Sequence, residues 1–157
     1  MLVSGTLLAQ KASSDDSNFS LEGMINYNST TGISWNAPAV RIRYFMNDND
    51  VVRLSVGMNL NKIEDVASGF NLGLGYETHL KGTDKLSPYL GGGFCMKATN
   101  LNDEKTNDFG LNALAGMDYY VFENVYLGLE LGLSFAVNDD RGLYNSMTSA
   151  VRCGWRF

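Results

Sequence analysis

The chain has 157 residues, with 17 glycines, two prolines and a formal net charge of −5. This length most simply corresponds to one domain. The acidic balance, and the lack of a Lys/Arg patch outside the predicted strands, argue against nucleic acid as a partner. No apolar run approaches the roughly 20 residues of a membrane-spanning helix, so the chain could cross a bilayer only as a closed barrel.

Residues 1–18 differ in composition from the rest of the chain. Residues 2–9 form a short apolar stretch, and the pattern around Ala9 to Ala12 is typical of a cleavage site, so we interpret residues 1–12 as the remnant of a secretory signal. A loosely packed N-terminus is the alternative, because the basic start of such a signal is missing. Residues 13–18 are polar and predicted to be flexible.

Residues 19–157 alternate apolar and polar side chains with the period of two that is typical of β-strands. The clearest case is 125–137, where every odd position is apolar and every even position is small or polar. In chain order, the pattern predicts strands at 19–28, 35–46, 51–60, 68–80, 88–98, 109–119, 125–137 and 147–157. Several exceed the roughly 5–6 residues of a typical globular strand and reach the roughly 9–11 that a tilted strand needs to cross a bilayer.

We therefore predict an all-β domain over 19–157, an eight-stranded antiparallel up-and-down transmembrane β-barrel. The connections 47–50 and 120–124 are short and are expected at the periplasmic end. The connections 99–107 and 138–146 are longer and polar and are expected to face outward. The connection 81–87 does not fit this alternation of short and long connections.

The orientation of the apolar rows decides between two classes of barrel, since a soluble lipocalin-like barrel would turn them inward. Glycines on the polar rows favour the outward orientation, because a narrow lumen needs space for larger neighbours. Arginines in strands favour it too, since they suit buried pairing with carboxylates, whereas exposed strand faces more often carry lysine. Charge is also absent from the apolar rows, as expected of a lipid face. The predicted lumen residues are Glu22, Arg41, Arg43, Arg53, Glu77, Lys97, Asp118, Glu130, Arg152 and Arg156.

Aromatic residues lie towards the strand ends, where membrane barrels carry girdles at the lipid boundary. Ordinary strand propensity, which also enriches aromatic residues, is the alternative explanation. The predicted girdle residues are Trp35, Tyr44, Tyr76, Tyr119, Tyr126, Trp155 and Phe157.

Four segments carry a family resemblance: RIRYFMNDNDVVRLSVGMNL, SPYLGGGF, YYVFENVYLGLELGLSF and the ending VRCGWRF. They resemble the outer-membrane β-barrel proteins related to OmpA and OmpX. The resemblance implies a Gram-negative outer membrane, a periplasmic N-terminus and contact with outer-membrane lipid. It also implies recognition of a terminal aromatic strand by the outer-membrane assembly machinery, for which the residues at alternate positions are Val151, Cys153, Trp155 and Phe157.

Eight strands enclose a space that side chains just fill, so the inward charges are expected to form a paired network and not a wide water channel. Counting from the strand ends places Glu130 near Arg152 and Glu22 near Arg43, and we predict an ion pair at each place. Solvated charges that line a leaky lumen are the alternative.

The sequence contains no catalytic constellation, and we expect neither an enzyme nor a cofactor. The single histidine, His79, lies near a predicted periplasmic turn, so a nucleophile activated by a histidine base is not expected. Cys95 and Cys153 are predicted to face opposite sides of strands that are not neighbours, so both should be free thiols, and they do not make a zinc site with one histidine. The acidic residues of the outer loops could hold a calcium ion, but they lack the regular ligand spacing of a dedicated calcium-binding loop, so we favour solvated loop charges. These residues are Asp103, Glu104, Asp108, Asp139 and Asp140.

Three functional classes remain open at this point. The first is a structural or interaction barrel in the outer membrane, with its loops presented to an unknown protein partner. The second is a channel or transporter for small solutes. The third is a soluble barrel that binds a hydrophobic ligand inside.

Overall fold

The computed structural model describes residues 17–28, 32–59, 68–101, 104–138 and 142–157. The predicted signal remnant, residues 1–12, lies outside the described residues. Eight strands follow one another: β1 (Phe19–Asn28), β2 (Gly32–Phe45), β3 (Asp50–Asn59), β4 (Ser68–His79), β5 (Leu86–Leu101), β6 (Glu104–Phe122), β7 (Val125–Asn138) and β8 (Gly142–Arg156). The described residues include no helix long and apolar enough to cross a membrane.

The strands form a closed barrel in which each one pairs antiparallel with the next. The seam joins β1 to β8, with Leu21 opposite Trp155. At the base of this seam the amide of Phe157 donates to the carbonyl of Phe19 at 2.8 Å, and the reverse bond measures 3.1 Å. The predicted eight-stranded up-and-down architecture is confirmed. We call the end that holds Phe19 and Phe157 the turn end, and the opposite end the loop end.

Five strands, β2 and β5 to β8, extend further towards the loop end than the sequence predicts. The predicted connection 99–107 is wrong, because β5 and β6 remain paired as far as Leu101 and Glu104. The predicted connection 138–146 is also wrong, since Asn138 pairs with Gly142. These segments consist mostly of polar residues and carry too little apolar alternation to be read as strands, yet backbone pairing does not require apolar side chains.

The strand β2 is irregular where it faces β1. Met24 is opposite Ala39, but Asn26 is opposite Ser34, so residues 35–38 of β2 correspond to a single residue of β1. Pro38 lies within this stretch. Because proline has no amide hydrogen to donate, it is found where a ladder is interrupted.

The two rows of each strand meet different surroundings, and the apolar row is outside. Leu111 and Leu131 are both 65% exposed, whereas Arg43 and Glu77 are completely buried. A protein folded in water buries the opposite set. The predicted outward orientation of the apolar rows is therefore confirmed, and the soluble lipocalin-like alternative, which needs those rows inside, is excluded.

Aromatic rings gather on the outside at the turn end. The ring centroids of Phe19 and Tyr44 are 5.0 Å apart, and those of Trp155 and Phe157 are 5.3 Å apart. One predicted girdle residue is wrong: Tyr126 is completely buried, because it occupies an even, inward position of β7. The side chain of Trp35 lies outside the described residues. The predicted girdle residues exposed on the outer surface are Tyr44, Tyr76, Tyr119, Trp155 and Phe157.

Candidate functional site

Charged side chains from seven strands meet inside the turn-end half of the barrel. Each projects from an inward position, and each has its charged end within 4.0 Å of at least one opposite charge. We call this group the lumen network. Its members are Glu22, Arg41, Arg43, Arg53, Glu77, Asp118, Glu130 and Arg152.

Arg43 is the centre of the lumen network. Its Nη1 donates to Glu22 Oε1 at 3.0 Å and to Asp118 Oδ2 at 2.7 Å. Its Nη2 donates to Glu77 Oε2 at 2.5 Å. The predicted contact between Glu22 and Arg43 is present, and one guanidinium connects strands from opposite sides of the barrel.

The predicted pair of Glu130 and Arg152 is wrong. Arg152 donates instead to Glu22 and Asp118, at 2.7 and 2.6 Å. Glu130 accepts two bonds from Arg41, at 2.8 and 3.0 Å, and one from Arg53 at 3.0 Å.

The register explains this exchange of partners. Glu130 is opposite Ala150, and Arg152 is opposite Gly128. A Cβ at Gly128 would lie 2.6 Å from Nη2 of Arg152, so the missing side chain leaves a path along which the guanidinium extends. Counting along neighbouring strands cannot find partners that meet across the lumen.

Other inward glycines make room for the same set of side chains. A Cβ at Gly75 would lie 2.6 Å from Nε of Arg53, and one at Gly154 would lie 2.2 Å from Cζ of Tyr126. This agrees with the interpretation of inward glycines as space for larger neighbours. Interiors tolerate such overlap poorly, because they are close-packed.

Neutral polar groups also bond to the lumen network, and the sequence analysis does not predict them as members of it. The hydroxyl of Tyr126 donates to Glu22 Oε1 at 2.5 Å, and the hydroxyl of Tyr89 donates to Glu130 Oε2 at 2.8 Å. Nη2 of Arg43 donates to Nε2 of His79 at 2.8 Å, which leaves Nδ1 of His79 to donate to Ser87 at 2.7 Å. Their inward positions in the strand alternation were the available signal.

Two predicted lumen residues lie outside the lumen network. Arg156 is buried at the turn end, where it lies 3.8 Å from the ring centroid of Phe45 and donates to the carbonyl of Ser17 at 2.9 Å. Lys97 is exposed and lies towards the loop end. The expectation that Lys97 belongs to the paired network is therefore wrong, because the acidic partners sit nearer the turn end.

The loop-end half of the lumen is an open cavity of about 430 Å³. Arg41, Arg53 and Glu130 form its floor, so the lumen network separates it from the turn end. Both polar and apolar residues line its walls, with Met24 and Met96 among the apolar ones. We call this space the loop-end cavity; its wall residues include Ser55, Asn71, Cys95, Lys97, Asn112 and Thr148.

Both cysteines are free, as predicted. Cys95 is half-buried in the wall of the loop-end cavity, and Cys153 is exposed on the outer surface. Within the described ranges, no group of three or more His, Cys, Asp or Glu residues could hold a metal ion. Of the acidic loop residues, Asp108 accepts a hydrogen bond from the amide of Asn138. The other acidic side chains lie outside the described part of the chain; they are Asp103, Glu104, Asp139 and Asp140.

No family model and no curated protein matches the sequence. Solved structures do share the fold. The N-terminal β-barrel domain of Pseudomonas aeruginosa OprF has a TM-score of 0.68 and 20% identity, covering 94% of this chain and 99% of that one. Neisserial surface protein A has a TM-score of 0.59 and 18% identity, covering 88% and 94%. Ail, the attachment invasion locus protein of Yersinia pestis, has a TM-score of 0.51 and 16% identity, covering 94% and 99%. The chain therefore has the fold of the small eight-stranded outer-membrane β-barrels of the OmpA and OmpX type.

Proposed function

We propose that this protein is an integral outer-membrane barrel with a structural or interaction role, whose lumen is closed by ion pairs and is not a wide pore. The observation that carries the proposal is the lumen network, in which four arginines and four carboxylates fill the turn-end half of the barrel. An ion crossing the barrel would have to break several of these contacts together. Each break leaves a buried charge unpaired.

The outer surface supports placement in a bilayer. Leucine, valine and phenylalanine side chains cover it, and soluble monomers rarely expose apolar patches larger than a few hundred Å². Outer-membrane lipid is therefore the main partner that we propose. A gel of unboiled and boiled samples tests this, since a membrane barrel that stays folded in detergent should change its mobility on boiling.

Conductance across a planar bilayer tests the closure of the lumen. The native protein is expected to show no steady current. The variant with Arg43→Ser and Glu77→Ser removes one charge of each sign at the centre and should conduct, which shows that the assay can detect an opening. Steady current through the native barrel would contradict the proposed closure and favour the channel class.

We also propose that the outward residues of β8 act as the assembly signal. Val151, Cys153, Trp155 and Phe157 are exposed on one row that ends at the turn end. Replacing Phe157 by Ser should reduce the yield of folded barrel in the presence of the assembly machinery. The matched change Tyr119→Ser, at the same end of β6, should not. Equal loss in both variants would show general destabilisation and not recognition of β8.

The remaining partner that we propose is an unidentified protein that binds at the loop end. Residues 1–12 are proposed as a signal remnant, and the mass of the mature protein tests that assignment.

A further inference from the structure

The loop-end cavity holds polar groups that no other part of the described chain uses. The buried Oδ1 atom of Asn112 has no hydrogen-bond partner. Lys97 lines the same cavity and forms no ion pair within the described residues. Buried polar groups in proteins are normally satisfied, so an orphan beside an open cavity indicates that something else in the cavity, either water or a solute, supplies the partner.

The charged side chains that face the cavity differ in how many bonds they make to other protein groups. The carboxylate of Glu130 accepts four bonds, from Arg41, Arg53 and Tyr89, so its negative charge is committed to the floor. Lys97 is opposite Asp108 in the ladder, but their charged ends are more than 4.0 Å apart and Asp108 is engaged by the Asn138 amide. A neutral amide leaves the charge of Asp108 in place, but Asp108 does not line the cavity. Among the described residues that line it, Lys97 is the one charged side chain that forms no ion pair.

Size and shape also suit a small ligand. A volume of about 430 Å³ lies within the roughly 300–1,000 Å³ typical of ligand pockets. The lumen network closes the floor, so a solute must enter and leave at the loop end. The hydroxyl of Ser55 accepts a bond from Nε of Arg41 at 3.1 Å and can still donate, and the side-chain amide of Asn71 offers both donors and an acceptor.

We propose that the loop-end cavity binds a small organic anion that also carries hydroxyl groups. Lys97 holds the anionic group, and the hydroxyl groups bond to Ser55, Asn71 and Asn112. The site goes beyond a structural role and does not depend on conduction, because a blind-ended cavity can bind a solute without passing it on.

Cys95 supplies a reporter inside the cavity wall. In a Cys153→Ser background, held in phosphatidylcholine nanodiscs, the rate of Cys95 modification is measured with anionic sulfonatoethyl and cationic trimethylammonioethyl methanethiosulfonate. Each rate is divided by the rate for free 2-mercaptoethanol. The normalised rate should favour the anionic reagent by about three- to tenfold, as expected for one unit charge near a partly screened site.

Matched variants separate the effect of the Lys97 charge from the electrostatic field of the other charged residues of the barrel. Lys97→Met should abolish the preference for the anionic reagent. Lys105→Met should preserve it, since Lys105 lies near the same end but on the outward row of β6. Heat-dependent gel mobility confirms that each variant is folded, and Lys97→Gln replaces Lys97→Met if the latter fails to fold.

Ligand protection tests binding directly on the background protein. D-gluconate, which combines a carboxylate with hydroxyl groups, should slow Cys95 modification, and its uncharged relative sorbitol should not. The proposal is overturned if Cys95 reacts with neither reagent, if the anionic preference is absent or survives Lys97→Met, if gluconate gives no protection, or if sorbitol protects equally well.

Discussion

The partners of Glu130 give the sharpest test of the lumen network. Glu130→Gln keeps the size of the side chain but removes the charge that Arg41 and Arg53 both contact. Breaking one partner of a buried ion pair costs about 3–5 kcal/mol. We expect the lower end of that range, because Arg41 keeps Glu22 at 3.6 Å and Arg53 keeps Glu77 at 3.1 Å. Arg41→Met should cost a similar amount.

A double-mutant cycle measures whether these two losses share one interaction. The free energy of unfolding is determined by urea titration in lipid vesicles for both single variants and for the double variant. Contacting residues in one network typically show a coupling of about 0.5–3 kcal/mol, and the bidentate contact of Glu130 with Arg41 predicts the upper half of this range. The cycle of Glu130→Gln with Arg152→Met should give a smaller coupling, because Arg152 bonds to other carboxylates. Additive losses for Glu130 and Arg41, or stronger coupling to Arg152, would refute the pairing.

Two further predictions concern the outer surface and the inward glycines. Leu131→Arg, near the middle of the outer row, should lower the free energy of unfolding in lipid by about 2–4 kcal/mol. Leu143→Arg, near the loop end, should lower it by only about 0–1 kcal/mol. Equal costs in the same urea titration would contradict a bilayer around the barrel. Gly154→Ala should lower the free energy of unfolding by about 1–3 kcal/mol, because the added Cβ would overlap the ring of Tyr126. Gly23→Ala should change it by less than about 0.5 kcal/mol, because no atom lies within 4 Å of the added Cβ. Similar effects of the two substitutions would contradict the packing described for Gly154.

The sequence predicts the fold well because strand alternation is a local property. In β7, the odd residues from Leu127 to Val137 face out and the even ones face in, as the pattern of apolar and polar residues indicates. The same rule placed Cys95 and Cys153 on opposite faces. It fails at the loop end, where mostly polar residues extend paired strands without a continuous apolar row to mark them.

The sequence predicts the composition of the lumen network but not its connectivity. Membership follows from the inward row of each strand, which is why Glu22 and Arg43 could be placed together. The partners of Glu130 depend on how far Arg41 and Arg53 reach across a closed barrel, which is a property of the barrel diameter and of side-chain length. Tyr126 was assigned to the outer girdle because strand ends carry aromatic residues on both faces.

The inward residues divide the lumen into two halves that carry different side chains. Towards the turn end, arginine and glutamate side chains fill the space left by glycines, and their mutual contacts make each one costly to remove. Towards the loop end, shorter amide and hydroxyl side chains leave the loop-end cavity open. Because the cavity wall contributes few contacts to the lumen network, substitutions such as Lys97→Met should leave stability nearly unchanged while they alter the charge that a solute meets. If the loop-end cavity binds a solute as proposed, such substitutions would change its binding preference without weakening the ion pairs of the lumen network.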